Sequence, residues 1–284
     1  MYEITNEDCF DGFAKMKDNS VDLIIADPPF GIDGANMHRH YARNESLVVD
    51  GYVEVEKSEY DEFSKKWISE SARVLRPGGS IYVVAGFSSL RSILNALHET
   101  DLIEINHLVW KFNFSVYTER KWSNCHYHIA YWMKPPDNKR TFNTYCRYEE
   151  KTDSYHDRQD VIEIKRKYKS GMIRNKNQLP EELVERLVLY SSNRNDIILD
   201  PFLGGFTTAK VALKYGRNVI GFEKNKNAFD VFYPQLKEIE TIDDPSPIPA
   251  NEKEMKKRIK MRKTRNEKRN KYQNTASQKC DIQT

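Results

Sequence analysis

The chain has 284 residues and a mass of 33.4 kDa, enough for one large α/β domain or two smaller ones with a substantial core. Apolar residues make up 39% and charged residues 31%, which excludes a mostly disordered chain, and no run approaches the roughly 20 apolar residues of a transmembrane helix. The acidic N-terminal stretch lacks the layout of a signal peptide, and four scattered cysteines argue against a disulfide framework, so we expect a cytoplasmic protein.

Positive charge is concentrated in two regions of the chain. The net charge is only +3, but residues 251–284 hold 12 basic against 4 acidic side chains. Residues 111–175 hold 14 basic against 8 acidic side chains, with aromatic residues interleaved. This distribution indicates a polyanionic partner that meets the protein at particular places. For residues 251–284, a merely solvated, lysine-rich end is an equally good interpretation.

The first half of the chain alternates short apolar runs with amphipathic stretches, a pattern typical of an α/β fold. We predict strands at 21–26, 80–85, 102–110 and 126–133, and helices at 58–76 and 88–99. The periodicity is lost after residue 134, so an irregular insert is expected up to about residue 175. Regular patterning then returns, with helices predicted from residue 180, at 207–215 and at 225–240, and strands at 196–199 and 217–221.

Two glycines separate the strand at 196–199 from the helix that follows it. At Gly204 and Gly205 the backbone can approach a ligand closely, and the first N–H groups of the helix point towards that ligand. Glu223 follows Gly204 by 19 residues, at the end of the next strand, where an acidic side chain can hold a ribose hydroxyl pair. These features favour a nucleoside-containing cofactor, and the missing G-x-G-x-x-G pattern disfavours a nicotinamide dinucleotide. The alternative is a tight strand–helix turn without a ligand.

The strand at 21–26 ends at Asp27-Pro28-Pro29-Phe30. Two consecutive prolines fix the backbone and remove two N–H donors, so the loop presents only acceptors, the Asp27 carboxylate and the Pro28 carbonyl. Such a corner suits an exocyclic amine, because accepting both of its hydrogens localises the nitrogen lone pair and stabilises the cation that develops. Phe30 offers a flat face on which a base can stack. The alternative is an ordinary turn that ends the strand.

These two units resemble the motifs of the site-specific DNA amino-methyltransferases that use S-adenosylmethionine. Asp27-Pro28-Pro29-Phe30 is similar to their catalytic motif, and Asp200-Pro201-Phe202-Leu203-Gly204 to their cofactor motif. The catalytic motif comes first, an order that resembles the beta group of the family. The resemblance covers about residues 4–240. It implies a mixed, mainly parallel seven-stranded sheet with helices on both faces, entered in a permuted order.

The resemblance also implies a role for each motif. Asp27, Pro28, Pro29 and Phe30 would bind the target amine and its base. Contacts with S-adenosylmethionine are implied for Asp8, Cys9, Asp27, Asp200, Phe202, Gly204, Gly205 and Glu223. Where the family usually has Gly-Ser-Gly this chain has Gly204-Gly205-Phe206, and where Lys-Pro is frequent it has Leu179-Pro180. We expect Phe206 to pack beneath the cofactor loop; a degenerate, weakly binding site is the alternative.

The basic and aromatic residues at 111–175 are the predicted target-recognition insert, which also contains the sheet strand near 126–133. Contacts with DNA are predicted for Arg39 and Arg43 in the loop after the catalytic motif, and for Lys111, Arg120, Lys121, Arg140, Arg147, Arg158, Arg166 and Lys167 in the insert. A solvated insert with a few core aromatics is the alternative. No metal site is predicted, because Cys125-His126-Tyr127-His128 has no second ligand pair at zinc-finger spacing.

The resulting hypothesis is methylation of an exocyclic amine of a flipped base in double-stranded DNA, with adenine N6 favoured and a role in restriction-modification. Residues 1–110 would form the catalytic half, 176–242 the cofactor-binding half, and 243–284 a linker and a basic, disordered tail. The alternatives are a cytosine-N4 DNA methyltransferase, an enzyme acting on RNA or a protein amide, and an inactive DNA-binding homologue. A cognate restriction endonuclease and a homodimer are compatible with the hypothesis.

Overall fold

The computed structural model describes residues 1–31, 49–51, 54–113, 115, 118–144, 158–165 and 178–244. Its eight strands are β1 (Tyr2–Thr5), β2 (Val21–Ala26), β3 (Leu75–Ala85), β4 (Ile103–Lys111), β5 (His126–Met133), β6 (Val161–Glu163), β7 (Ile197–Asp200) and β8 (Asn218–Phe222). Its six α-helices are α1 (Cys9–Lys15), α2 (Tyr60–Val74), α3 (Phe87–His98), α4 (Glu181–Ser191), α5 (Thr207–Lys214) and α6 (Lys226–Phe232). Short 3-10 helices cover Asp137–Lys139 and Tyr233–Glu238. The predicted tail from residue 245 onwards lies outside these described residues.

All eight strands form one sheet in the order β1-β8-β7-β2-β3-β5-β4-β6. Neighbouring strands are parallel from β1 to β3 and again between β4 and β6, whereas β5 is antiparallel to both β3 and β4. Each face of the sheet carries its own buried cluster: one includes side chains of α4, α5 and α6, and the other side chains of α1, α2 and α3. The predicted mixed, mainly parallel sheet with helices on both faces is confirmed.

The sheet has one strand more than the seven that the resemblance implied, and two more than the six that the sequence patterns predicted. The two strands that these patterns missed, β1 and β6, are very short and lie at the sheet edges. In β1 only Ile4 is buried, and the strand is defined by its pairing with β8. In β6 only Ile162 is buried, and its three residues add to the edge of β4 within the stretch predicted to be irregular. Strands this short contain too few residues for an apolar alternation to be visible in the sequence.

Two predicted boundaries also differ from the structure. β3 already begins at Leu75, which pairs with Val21, and the register then shifts so that Leu23 pairs with Ser80. The helix predicted at 225–240 ends at Phe232 as an α-helix and continues as a 3-10 helix. Pro234 accounts for that change, because proline has no N–H to donate to the preceding turn.

The sheet brings together two parts of the chain that are far apart in sequence. Central strands β2 and β7 are parallel neighbours, with Leu23 opposite Ile198 and Ile24 opposite Leu199. Parallel neighbours end at the same edge of a sheet, so the segment after Ala26 and the segment after Asp200 leave the sheet side by side. In the described part of the chain, no helix is long and apolar enough to cross a bilayer.

Candidate active site

A cavity lies where β2, β7 and β8 end, and it continues along α2 towards the other ends of the strands, with a total volume of about 1620 Å³. Every residue predicted to be catalytic or to contact the cofactor lines it; these are Asp8, Cys9, Asp27, Pro28, Pro29, Phe30, Asp200, Phe202, Gly204, Gly205 and Glu223. The two predicted motifs therefore share one cavity.

Hydrogen bonds from outside the motif support the Asp27–Phe30 loop. The Tyr60 hydroxyl donates to the Pro29 carbonyl at 2.6 Å, and the N–H of Gly31 donates to the Glu54 carboxylate at 3.0 Å. Burial, together with the charges of Glu54 and Asp27, raises the pKa of Tyr60, so this hydroxyl stays protonated and acts as a donor. The Pro29 carbonyl is thus occupied by the protein, whereas the chemistry predicted from sequence involves Asp27 and the Pro28 carbonyl.

Phe30 lies in the wall of the cavity and is 7% exposed. Its ring meets Tyr127 on β5 edge to face, with centroids 5.2 Å apart. Tyr127 in turn contacts Phe112, at the end of β4, with centroids 5.3 Å apart. The catalytic motif is therefore joined by aromatic packing to the base of the β4–β5 connection.

The glycine turn after β7 is held from two sides. The N–H of Gly204 donates to Glu223 at 2.6 Å, and the N–H of Asn225 donates to the other oxygen of that carboxylate at 2.7 Å. On the other side, the Gln178 amide donates to the Thr207 hydroxyl at 2.9 Å. A Cβ atom at position 205 would lie only 2.5 Å from the Gln178 side chain, so a larger residue there would displace Gln178 from the turn.

Phe206 occupies the position of the last family glycine and keeps a backbone conformation suited to glycine. Its φ is +61°, in the left-handed region, and its side chain is fully buried. The ring packs against Phe229 and Phe232 on α6, with centroids 6.0 and 6.2 Å apart. A left-handed conformation costs a non-glycine residue about 1–2 kcal/mol, which the burial of an aromatic ring offsets. The substitution thus adds core packing next to the turn without occupying its ligand side.

Two acidic groups in the cavity have raised pKa values. Burial raises the pKa of Asp200 to about 6, although its hydrogen bonds from Thr208 and the N–H of Phe202 favour the ionised form. Burial likewise raises the pKa of Glu223 to about 7, against the two backbone N–H bonds that it accepts. Perturbed acids that line a cleft mark a functional site more often than a purely structural one. Glu223 therefore titrates in the neutral pH range.

Asp8 and Cys9 lie at the start of α1, beside the end of β8. Asp8 caps the helix by accepting from the N–H of Phe10 at 3.0 Å and forms an ion pair with Lys224 at 2.9 Å. Burial alone would raise the pKa of Asp8, but these bonds lower it below its usual value. Burial raises the pKa of the Cys9 thiol, which is therefore a neutral wall group at neutral pH.

Four of the five described residues predicted to contact DNA lie on the β4–β5–β6 side of the sheet. Lys111 ends β4 and pairs with Glu163 at 3.1 Å, Arg120 and Lys121 are exposed in the β4–β5 connection, and Arg158 is exposed before β6. Arg140 is apart from them. It follows the end of β5 that is opposite Ser80, so it lies where the other ends of the strands meet. There it donates hydrogen bonds to Asp137 at 2.7 Å and to the Tyr131 hydroxyl at 3.0 Å. Arg39, Arg43, Arg147, Arg166 and Lys167 lie outside the described residues.

Several residues that support the motifs were not predicted from the sequence. Tyr60, Glu54 and Gln178 each act on a motif through a contact between residues 23 to 31 positions apart in the chain. No local pattern marks such pairs, although Tyr60 lies in the first turn of a predicted helix and Gln178 directly precedes Leu179-Pro180. Lys224 and Asn225 could have been found, because they follow the acidic residue at the end of β8.

Comparisons with known proteins match this architecture. A family model described as DNA methylase, for N6 and N4 methyltransferases, matches residues 21–234. The chain is 30% identical over 245 residues to the type II methyltransferase M.HinfI of Haemophilus influenzae, covering 83% of this chain and 68% of that protein. It is 27% identical over 238 residues to the type II methyltransferase M2.DpnII of Streptococcus pneumoniae, covering 82% and 88%.

Solved structures share the fold at low sequence identity. A DNA modification methylase of Thermus thermophilus, TTHA0409, complexed with S-adenosyl-L-methionine, aligns with a TM-score of 0.63 and 20% identity over 86% of this chain and 98% of that one. The cytosine-N4-specific PvuII DNA methyltransferase aligns with a TM-score of 0.63 and 14% identity over 86% and 95%. At these identities the structural likeness establishes the fold.

Proposed function

This chain belongs to the DNA methylase family, and we propose that it transfers a methyl group from S-adenosylmethionine to an exocyclic amine of a flipped base in duplex DNA. One observation carries the proposal: the acceptor-only corner at Asp27–Pro28 and the glycine turn at Gly204–Gly205 line the same cavity. A methyl donor and a target amine can therefore meet within it.

The residues of the cavity fit S-adenosylmethionine. Glu223 offers a carboxylate for the ribose hydroxyls, and Gly204 and Gly205 allow the backbone of the turn to approach the methionine part. Phe10 and Phe202 add apolar ring surface for the adenine part. Bound there, the cofactor supplies an electrophilic methyl group attached to a sulfonium.

Asp27 and Pro28 act on the target amine. Their oxygens accept its two hydrogens, so the nitrogen becomes pyramidal and directs its lone pair towards the methyl group. When the amine accepts a methyl group from the cofactor, a positive charge would develop on its nitrogen. The Asp27 carboxylate stabilises that charge until the amine releases a proton to water. Tyr60 holds the loop in place through the Pro29 carbonyl.

Adenine N6 is the favoured target, because the resemblance associates an aspartate at the head of the tetrapeptide with adenine enzymes and a serine with cytosine-N4 enzymes. Cytosine N4 is the second candidate, since the matching family model covers N6 and N4 enzymes alike. In either case the base must leave the duplex, which costs roughly a few kcal/mol of stacking and pairing. We propose that the region at 111–175 offsets this cost through contacts with DNA, as the target-recognition part of the chain.

The test is methyl transfer to duplex DNA followed by mass spectrometry of its nucleosides. We expect N6-methyladenine; N4-methylcytosine would overturn the choice of base, and transfer only to RNA or protein would overturn the substrate class. Asp27→Ala should abolish turnover while S-adenosylmethionine affinity stays within about threefold, because the carboxylate contacts the amine. Asp230→Ala, which removes an exposed carboxylate of α6 outside the cavity and outside the region at 111–175, is the matched control and should leave turnover unchanged.

A role in restriction-modification follows from the type II names of the curated relatives. We propose that the chain protects DNA from a cognate endonuclease. Sequencing of modified bases in DNA from cells that express the chain would identify the recognised site. Methylation at every occurrence of one short sequence supports this role, whereas sparse methylation without a common sequence contradicts it.

A further inference from the structure

Trp122 is unlike the other tryptophans of this chain. Trp67, Trp110 and Trp132 are buried in the core, with at most 2% of their surface exposed, whereas Trp122 is 95% exposed. Tryptophan is highly buried on average, because exposing its large ring to water is unfavourable. A fully exposed tryptophan in a connection between two strands of the sheet is thus a candidate contact for another molecule.

The position of Trp122 relates it to the candidate active site. It lies in the connection between β4 and β5, which leaves the sheet at the edge where Asp27 follows β2. The base of this connection is closed by a 2.9 Å bond from the N–H of Phe112 to the Cys125 carbonyl. Phe112 packs against Tyr127, and Tyr127 packs against Phe30 of the catalytic motif. The connection is therefore joined through Tyr127 to the motif that would receive the flipped base.

Local hydrogen bonds hold Trp122 within a turn. The Thr118 hydroxyl donates to the Lys121 carbonyl and lies 3.5 Å from the Ser123 hydroxyl, which closes the chain around the tryptophan. Arg120 and Lys121, both exposed, precede the ring, with Glu119 as the neighbouring acid. Cations next to a projecting aromatic ring fit a stacked base between two phosphates.

Phe30 cannot itself fill the gap that a flipped base leaves in the duplex. It is buried, and its ring is held edge to face by Tyr127 inside the wall of the cavity. A base that has left the duplex can meet Phe30, but the gap that the base leaves lies outside the cavity. A second, projecting side chain can fill that gap, and among the described residues of the connection, 112–113, 115 and 118–125, Trp122 is the exposed aromatic.

We infer that Trp122 enters the DNA duplex at the target pair and stacks in the space vacated by the flipped base. The inference rests on the proposed function, since it concerns the same reaction. Filling the gap replaces the lost base stacking and keeps the flipped base from returning. Trp122 thereby acts on the flipping equilibrium, and the methyl transfer in the cavity proceeds without it.

The test compares Trp122→Ala, Trp122→Phe and the unaltered protein on two duplexes that carry the mapped recognition site. One duplex is fully matched, and the other has a mismatch at the target pair, which makes flipping easier. Trp122→Ala should lower kcat on the matched duplex at least about tenfold and on the mismatched duplex less than about threefold, with an unchanged KM for S-adenosylmethionine. Trp122→Phe should restore most of the lost rate, because phenylalanine also stacks on bases.

Ile103→Ala is the control, because Ile103 is also partly exposed but lies at the opposite end of β4. It should leave both rates unchanged. Equal rates for Trp122→Ala and the unaltered protein would overturn the inference, and so would a loss that the mismatch does not relieve, which would make Trp122 a plain surface contact. In both cases the unaltered protein still methylates DNA, so the proposed function stands. If the unaltered protein methylates no duplex, the proposed function fails instead.

Discussion

Tyr60→Phe removes one hydrogen-bond donor from the support of the Asp27–Phe30 loop and leaves the aromatic ring in place. The hydroxyl is 2.6 Å from the Pro29 carbonyl, and Tyr60 is 3% exposed, so water cannot readily replace the lost donor. The ring also packs against Gly31, where an added Cβ would lie 2.6 Å from it, and this contact survives the substitution. The perturbation is thus confined to the partners of the hydroxyl, the Pro29 carbonyl of the loop and the neighbouring Ser89 side chain.

The expected size of the effect follows from that geometry. A buried carbonyl that loses its donor costs about 1–3 kcal/mol, which should appear as a lower free energy of unfolding in urea. A shift of the loop by about 1 Å would move Asp27 and Pro28 away from the target amine, and such misplacement lowers kcat by about 10- to 100-fold. The KM for S-adenosylmethionine should change less than about twofold, because the lost bond supports the amine-binding loop and leaves the bonds of the glycine turn intact.

Tyr82→Phe is the matched control for this experiment. Tyr82 is also buried, and its hydroxyl lies 2.7 Å from the Ser191 hydroxyl, on the face of the sheet covered by α4. The control should lose a comparable amount of stability and keep kcat. Both variants are assayed by transfer of a labelled methyl group to duplex DNA. If Tyr60→Phe keeps full kcat, or if both variants lose kcat equally, Tyr60 does not position the catalytic loop.

Three further predictions concern the cofactor turn and the core. With a pKa of about 7, Glu223 becomes protonated as the pH falls from about 8 to about 6. Calorimetry should therefore show about tenfold weaker S-adenosylmethionine binding at the lower pH, and Glu223→Gln should abolish this pH dependence. Equal affinities of the unaltered protein at the two pH values would refute the prediction. Phe206→Gly relieves a left-handed backbone conformation but empties a core position. Urea unfolding should show a free energy of unfolding that is lower by about 2–4 kcal/mol. Unchanged stability would mean that the packing of the ring contributes nothing. Arg217→Met breaks the ion pair between the fully buried guanidinium and Asp244. The free energy of unfolding in urea should fall by about 3–5 kcal/mol. A change below about 1 kcal/mol would contradict the importance of the pair.

Local sequence patterns were sufficient for the long elements and for both motifs. The strand His126–Met133 was predicted at its observed bounds, because eight residues of apolar and aromatic type carry a clear signal. The edge strand Tyr2–Thr5 was missed, since its pairing partner is more than 200 residues away and supplies most of what defines it. The same physical limit applies to the site: Asp27 and Glu223 stand out locally, whereas the donor from Tyr60 and the contact of Gln178 with Gly205 exist only after folding.

The pairing of β1 with β8 brings the two ends of the described chain together. The N-terminal amine bonds the Asn218 side chain at 3.1 Å, and Asp244 pairs with the adjacent Arg217. A short peptide joining these ends would therefore leave the sheet intact, and new termini could be opened in the exposed turn at residues 99–101, between α3 and β4. Such a circular permutant would carry the glycine turn before the Asp-Pro-Pro-Phe loop, yet its folded cavity would be built from the same atoms in the same places. The order of the two motifs along the chain can thus be changed while the geometry of the site stays the same.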